Sequence, residues 1–246
     1  MTVFKDNTTT RFTTLLPKSI SLDGSWECGL VEIHFPMTLE NVYGNNREIK
    51  IHSHCETKPN FIETGELCER IPSGHYESIG EIVLAINKAL SSVDLEEKIV
   101  LTWETNRRVT IHSGPKVSLH VSSLLALQLG FEPGIDSVHQ RKSIRKPDLL
   151  LGYPSQIYVY CDIVEQELIG DVVSPLLRIV SSNANLDNFG QDVVHVFSRP
   201  FYLPVMKREF ETIEVDLRTH SGEPLPFLYG TSVIILHFRR SNGAHK

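Results

Sequence analysis

The sequence predicts an all-β protein, a single jelly-roll β-sandwich with one or two short helices in its connecting segments. Two observations carry this prediction. The first is a two-residue alternation, clearest from Gln156 onward: Ile157, Val159, Cys161 and Ile163 fall on one face, and Tyr158, Tyr160 and Asp162 on the other. That is the signature of a strand with one face toward a core. The second is that strand follows strand through the C-terminal third, with no regular alternation of strands and helices, which excludes a βαβ architecture. With 246 residues, the chain has room for one large β domain and its core, but not comfortably for two jelly rolls.

In chain order, residues 1–10 are polar and threonine-rich and read as an N-terminal arm. Phe12 to Ile20 reads as a strand whose Pro17 assigns it to a sheet edge. The turn Ser21–Gly24 leads to a long strand, Trp26 to Pro36. There Val31, Ile33 and Phe35 share a face, while Trp26, Cys28 and Leu30 make the start of the other face apolar, so that end is expected to be covered on both sides.

Arg47 to His52 is a further strand, and polar, Pro- and Gly-bearing His54 to Gly74 reads as a loop or short hairpin. Ser78 to Leu90 is the clearest helix. Ser78 and Glu81 fit a capping box, and Ile79, Ile82, Val83, Ile86 and Leu90 recur at helical spacing. Ile99–Trp103 and Arg108–Ser113 pair around a turn, Val117–Val121 is a strand, and Ser122–Leu129 is a short helix stopped by Gly130. Phe131 to Tyr153 reads as a long connection.

The closing strands are Leu176–Val180, Val193–Phe197, Glu209–Leu217 and Thr231–Phe238. Phe210 is out of phase with Ile213, Val215 and Leu217, which predicts a β-bulge near Glu211. Val233, Ile235, Ile234 and Leu236 make both faces of the last strand apolar, which assigns it to a central position or a subunit contact. The total is about eight to ten strands and two helices.

Composition narrows the function. A formal net charge of -6 lacks the basic balance that phosphate binding needs, so no direct nucleic-acid role is expected. The basic run Arg141, Lys142, Arg145 and Lys146 reads as a solvated loop. There is no signal-peptide core and no apolar run of membrane-spanning length. Cys28, Cys55, Cys68 and Cys161 form no CxxC pair and read as free thiols of a reducing compartment, the cytosol or nucleus, with Cys28 and Cys161 in the core.

Candidate chemistry is sparse. His52, His54, Cys55 and Cys68 are zinc-ligand types at a spacing that matches no finger pattern, so no metal or other cofactor is expected. The acidic group Asp162, Glu165, Glu167 and Asp171 reads as a solvated loop or an inter-subunit rim. Tyr158 and Tyr160 lie on an outward face, suited to stacking on a ligand or to cross-strand packing. There is no nucleophile elbow and no Gly-rich phosphate loop, and the chain is expected not to be an enzyme.

Several stretches resemble a known family. Leu22-Asp23-Gly24-Ser25-Trp26-Glu27-Cys28-Gly29-Leu30-Val31-Glu32-Ile33 is similar to the opening of the minor capsid proteins of Polinton/Maverick elements and their adintovirus-like relatives. Ile71–Ser78, Leu129–Phe131, Tyr158–Glu165, Gly170–Val172 with Pro175–Val180, Phe210–Val215 and Leu236–Arg240 continue the likeness in order. Cys28 stands where that family commonly has Val, a small apolar exchange.

The resemblance implies a jelly-roll penton domain over residues 11–240, with an arm at 1–10 and a tail at 241–246. It implies a homopentamer at the vertices of an icosahedral shell whose faces are a separate double jelly-roll major capsid protein. The subunit would be made in host cytoplasm and reside in the virion, with the nucleus as an alternative place of assembly. A cyclic homopentamer joins two different patches of neighbouring copies. The candidate contact residues are Phe201, Tyr202, Leu203, Val205 and Met206, an apolar run unsuited to a core strand and open equally to reading as a core-covering loop, with Glu165 and Glu167 facing Arg239 and Arg240, or the basic 141–146 run, across the boundary. The alternative is a jelly-roll ligand- or receptor-binding module, since this fold hosts many functions. A cupin-type metal enzyme is a third reading, without support from histidine spacing.

Overall fold

The structure is a computed structural model that describes residues 4–58, 61–95, 97–134, 137–138 and 140–241; the side chains of 54–58, 61–64 and 137–138 lie outside that description. The chain opens with strands β1 (Arg11–Ser21) and β2 (Trp26–Pro36). Next come β3 (Glu48–Lys58), β4 (Phe61–Arg70), helix α1 (Ile79–Ser91), β5 (Val100–Trp103), β6 (Val109–His112) and β7 (Val117–Val121). Helix α2 (Ser123–Gln128), β8 (Ser137–Val138) and β9 (Gln140–Lys142) follow. The last group is β10 (Gln156–Cys161), β11 (Glu167–Ile169), β12 (Val172–Ser174), β13 (Leu176–Ser181), β14 (Asp192–Val196), β15 (Tyr202–Pro204), β16 (Glu209–Arg218) and β17 (Val233–Arg240). The protein is all-β, a jelly-roll sandwich with few helices, as the sequence predicts. The expected eight to ten strands miss mainly the short ones, β8, β9, β11, β12 and β15, which are too brief to show a period.

The chain forms two compact units. One is discontinuous, Met1–Leu39 with Pro154–Lys246; the other, Glu40–Tyr153, is inserted in sequence between β2 and β10. The span 11–240, read from sequence as one domain, is thus divided between them.

The discontinuous unit is built from two antiparallel sheets. Sheet I has the order β1-β16-β10-β13. In sheet II, β2 is central. Strand β17 pairs along Trp26–His34 of β2, so β14, which pairs with Glu32–Pro36, and β15, which pairs with Glu27–Gly29, must share its other edge. The inner faces meet. Leu30, Ile33 and Phe35 of sheet II and Ile157, Val159, Val215 and Leu217 of sheet I are all buried, and the rings of Phe210 and Phe238 stack across the gap at 6.1 Å. Full burial of such side chains stabilises by ~1.5–3 kcal/mol each. Cys28 and Cys161 are buried core thiols; burial pushes both upward in pKa, Cys161 to about 12.

Local irregularities follow the sequence cues. In β1, the register to β16 slips between Leu15 and Ile20, the segment that holds Pro17, and β1 is an edge strand. The phase slip at Phe210 is present, but the extra residues sit on β1 opposite, not on β16. A slip in β2 skips Val31, so Cys28 and Leu30 before it and Ile33 and Phe35 after it all face one core. The expected two-sided cover at the start of β2 is also present: Gly29 is closed over by the Pro200–Tyr202 segment, and Glu27 is buried beside Arg239.

Two expectations are corrected. Strand β17 is not central: among the described residues it pairs only with β2, and Val233 and Ile235 are 50% and 44% exposed, which leaves the other alternative, a subunit contact. Periodicity shows that a face is apolar, not that anything covers it. The 201–206 run, read as unsuited to a core strand, does form one: β15 pairs with β2 and Leu203 is buried, so that part of the run covers the core. Pro204 is tolerated because the strand is three residues long and lies at an edge.

The inserted unit holds a sheet ordered β4-β3-β7-β8 and another ordered β5-β6-β9. The segment His54–Gly74, read as a loop or short hairpin, contributes to a hairpin longer than expected, β3 with β4, held by cross-strand charge pairs, Lys50 with Glu66 (2.7 Å) and Arg70 with Glu48 (2.5 Å). Such alternating charge on a two-sided hairpin is invisible to an apolar period. Helix α1 is capped as predicted: the Glu81 amide donates to the Ser78 hydroxyl (3.2 Å), while the Glu81 carboxylate accepts from the Glu77 amide, one residue earlier than in the standard box. Asn87 of α1 bonds both the amide and the carbonyl of Leu101 at 2.8 Å, which fixes the helix to β5. Gly130 ends α2 with φ +82, and a Cβ there would meet the Arg145 carbonyl oxygen at 2.3 Å, so only glycine fits. Within the connection 131–153, Gln140–Lys142 form β9 against β6, and Lys142 pairs with Glu104 at 2.7 Å, so part of the basic run is ordered by an ion pair.

Candidate assembly surface

The outer face of sheet II is a regular grid. Opposite His34 of β2 stand Val194 of β14 and Val233 of β17; opposite Glu32 stand Val196 and Ile235. The four aliphatic residues are 48%, 67%, 50% and 44% exposed in the order Val194, Val196, Val233 and Ile235. In their centre Glu32 and His34, two residues apart on one face, are hydrogen-bonded to each other. Each thereby satisfies a polar group of the other in the middle of the grid.

The next two rows are polar and locked. Tyr202 and His237 flank Gly29, and the Tyr202 hydroxyl lies 2.8 Å from His237 Nδ1. Pro204 and Arg239 flank Glu27. Arg239 donates to Glu27 at 2.7 Å and lies over the Tyr202 ring at 3.6 Å, a cation–π contact. Arg240 lies over Trp26 at 5.7 Å. Phe201 and Met206, at the two ends of β15, are 61% and 62% exposed.

A second exposed apolar feature is the β11–β12 hairpin, which forms a sheet of its own. Leu168 pairs with Val173, and they are 72% and 58% exposed. Glu165 and Glu167 flank it and are exposed.

Of the nine contact residues expected from sequence, Phe201, Met206, Glu165, Glu167 and Arg240 are exposed, and Tyr202 and Val205 are half-buried. Leu203 is core. Arg239 is already engaged by Glu27 of its own chain. Val194, Val196, Val233 and Ile235 were missed as a set. Their signal is the doubly apolar stretch in each strand, but grouping them needs the register. Asp162, assigned to the acidic rim, accepts from the Glu214 amide at 2.8 Å and pairs with Lys207, which makes it structural. Of the zinc-type residues, His54 and Cys55 lie outside the described side chains. His52 and Cys68 stand opposite Glu66 and Lys50 in the hairpin, and no metal-binding group occurs among the described residues. Among these residues no helix is long and apolar enough to cross a membrane.

No protein-family model matches the chain, and no curated protein matches it in sequence. Among solved structures its fold is similar to that in the crystal structure of the selenomethionine-labelled mavirus penton protein. The TM-score is 0.51 at 14% sequence identity, and the similarity covers 94% of this chain and 90% of that one. The comparison establishes a shared fold extending over nearly the whole of both chains.

Proposed function

We propose that this chain is a non-enzymatic capsid subunit, the penton-type minor capsid protein of a Polinton/Maverick-like element. Five copies would close the vertices of an icosahedral shell, beside a double jelly-roll major capsid protein, and the protein would reside in the virion. The single observation that carries the reading is the likeness to a penton protein over 94% of the chain. The ordered sequence resemblance points the same way without depending on the structure.

The surface supplies what a ring needs. A cyclic interface joins two different patches, and the jelly-roll unit exposes two, the aliphatic grid of sheet II and the Leu168–Val173 face of the β11–β12 hairpin. We assign the grid, extended by Phe201 and Met206, to one side of the contact and the hairpin to the other. Glu165 and Glu167 would then lie toward Arg240, giving an apolar centre and a charged rim. Co-expression with the major capsid protein, followed by electron microscopy of the particles, tests the reading. Density for this chain at the five-fold vertices is expected; closed particles whose vertices lack it would refute the assignment.

A further inference from the structure

The outer face of sheet I carries a cleft of about 770 Å³, within the ~300–1,000 Å³ range of small-ligand sites. Its floor is made by Tyr158 and Tyr160 of β10 with Glu214, Asp216 and Arg218 of β16. The register sets Tyr160 opposite Asp216 and Tyr158 opposite Arg218. One wall is the side of the β11–β12 hairpin bearing Ile169 and Val172, with Gly170 and Asp171 at its turn. The other is the turn His220–Gly222, which Arg218 fixes by donating to the Gly222 carbonyl at 3.1 Å.

The charges on this floor are matched in place. Arg218 Nε and a terminal nitrogen both donate to one Asp216 oxygen, at 2.8 and 2.7 Å. Glu214 accepts from Arg11 at 2.7 Å, and Asp162 from Lys207. The Asp216 carboxylate holds the Arg218 guanidinium firmly charged, its pKa raised chiefly by that hydrogen bond. An ionic ligand would therefore have to break an existing pair to gain one, and an apolar ligand would desolvate all of them. What the floor offers instead is two phenol rings, i and i+2 on one strand face, beside fixed, charge-assisted donors and acceptors.

From this juxtaposition of paired tyrosines with a pre-neutralised Asp216–Arg218 pair under the β11–β12 hairpin, we propose a binding site for a neutral carbohydrate. The apolar C–H face of a pyranose would lie on Tyr158 and Tyr160, and its hydroxyls would bridge Asp216 and Arg218. The site goes beyond the capsid role and does not rest on it, since every lining residue belongs to one chain.

The full-length protein should be titrated with the methyl glycosides of glucose, galactose, mannose and N-acetylglucosamine, read by saturation-transfer NMR. Spermidine and inorganic phosphate serve as ionic probes. At least one glycoside should bind saturably, with transfer strongest to its ring C–H protons. Tyr158→Ala/Tyr160→Ala should weaken it at least tenfold, Asp216→Asn should weaken it as well, and Tyr160→Phe should retain it. Leu84→Ser, at an exposed position of α1 in the inserted unit, should leave it unchanged, and circular dichroism should show each variant folded. Failure of every glycoside to bind, binding indifferent to the tyrosine pair, or displacement of a bound glycoside by spermidine or phosphate would overturn the assignment.

Discussion

Gly29→Ala tests how β15 is seated on β2, and hence how Phe201 and Met206 are presented. The glycine has ordinary extended backbone and lies under the strand crossing. A Cβ there would stand 2.8 Å from the Phe201 carbonyl oxygen, 3.1 Å from the Tyr202 ring and 3.2 Å from the Pro200 ring. The first contact is to backbone and cannot be relieved by a rotamer change, so β15 must move away from β2. Overpacking of this kind costs ~1–3 kcal/mol, while replacing glycine reduces unfolded-state entropy and returns ~0.4–1 kcal/mol. The steric term wins. Net destabilisation should be about 0.5–2 kcal/mol, or roughly 2–4 °C in melting temperature per kcal/mol for a chain of this size. The displacement should also open the Tyr202–His237 hydrogen bond and the Tyr202–Arg239 stack. Thermal denaturation measures the first effect, and amide exchange at Tyr202 and Val205 the second. An unchanged melting temperature with unchanged exchange would show that β15 does not lie against Gly29.

Further outcomes are expected. Arg239→Ala should destabilise by ~1–3 kcal/mol because it strips a partner from the buried Glu27 carboxylate; Arg239→Ala/Glu27→Gln should recover most of that loss in denaturant melts. Glu104 is held by Lys142, Thr110 and Asn106 with its pKa lowered to about 2. A depressed carboxylate contributes stability above its unfolded pKa that is lost as pH falls toward the folded value. Glu104→Gln should therefore flatten the acid limb of the stability curve between about pH 4.5 and 2, and an identical acid limb would contradict this pairing. In a Cys55→Ser background, a thiol reagent should modify the exposed Cys68 in the native protein and reach Cys28 and Cys161 only on unfolding; rapid native labelling of three thiols would refute the core assignment. Leu30→Ala, at a fully buried position, should cost ~2–5 kcal/mol in denaturant melts.

What was legible in the sequence was what a short period or a capping pattern records. Strand β2, strand β7 and helix α1 fall where the alternation and the Ser78–Glu81 pair place them, because those segments bury one face and state it in their residues. The full length of the β3–β4 hairpin, read only as a strand with a loop or short hairpin after it, was hidden because charge pairs such as Lys50–Glu66, rather than an apolar stripe, hold its strands in register. The split into two units was hidden because it depends on which distant strands meet. The candidate assembly surface was half visible. Phe201 and Met206 announce themselves in an apolar run, but Val194 and Ile235 become neighbours across β2 only through a register no local pattern contains. Arg239 illustrates the converse: a terminal arginine that looks available in sequence is consumed by Glu27, more than two hundred residues away in the chain.

The central claim, that this jelly roll is the subunit of a five-fold vertex, is tested most directly by the mass of the purified protein, measured by light scattering behind a sizing column. The account predicts a species near five times the 27.8 kDa chain mass, which Val196→Asp/Ile235→Asp returns to single chains without unfolding them. A closed dimer or trimer at every concentration would contradict it; a lone chain moves the test to co-expression with the major capsid protein, where closed particles whose vertices lack this chain would contradict it.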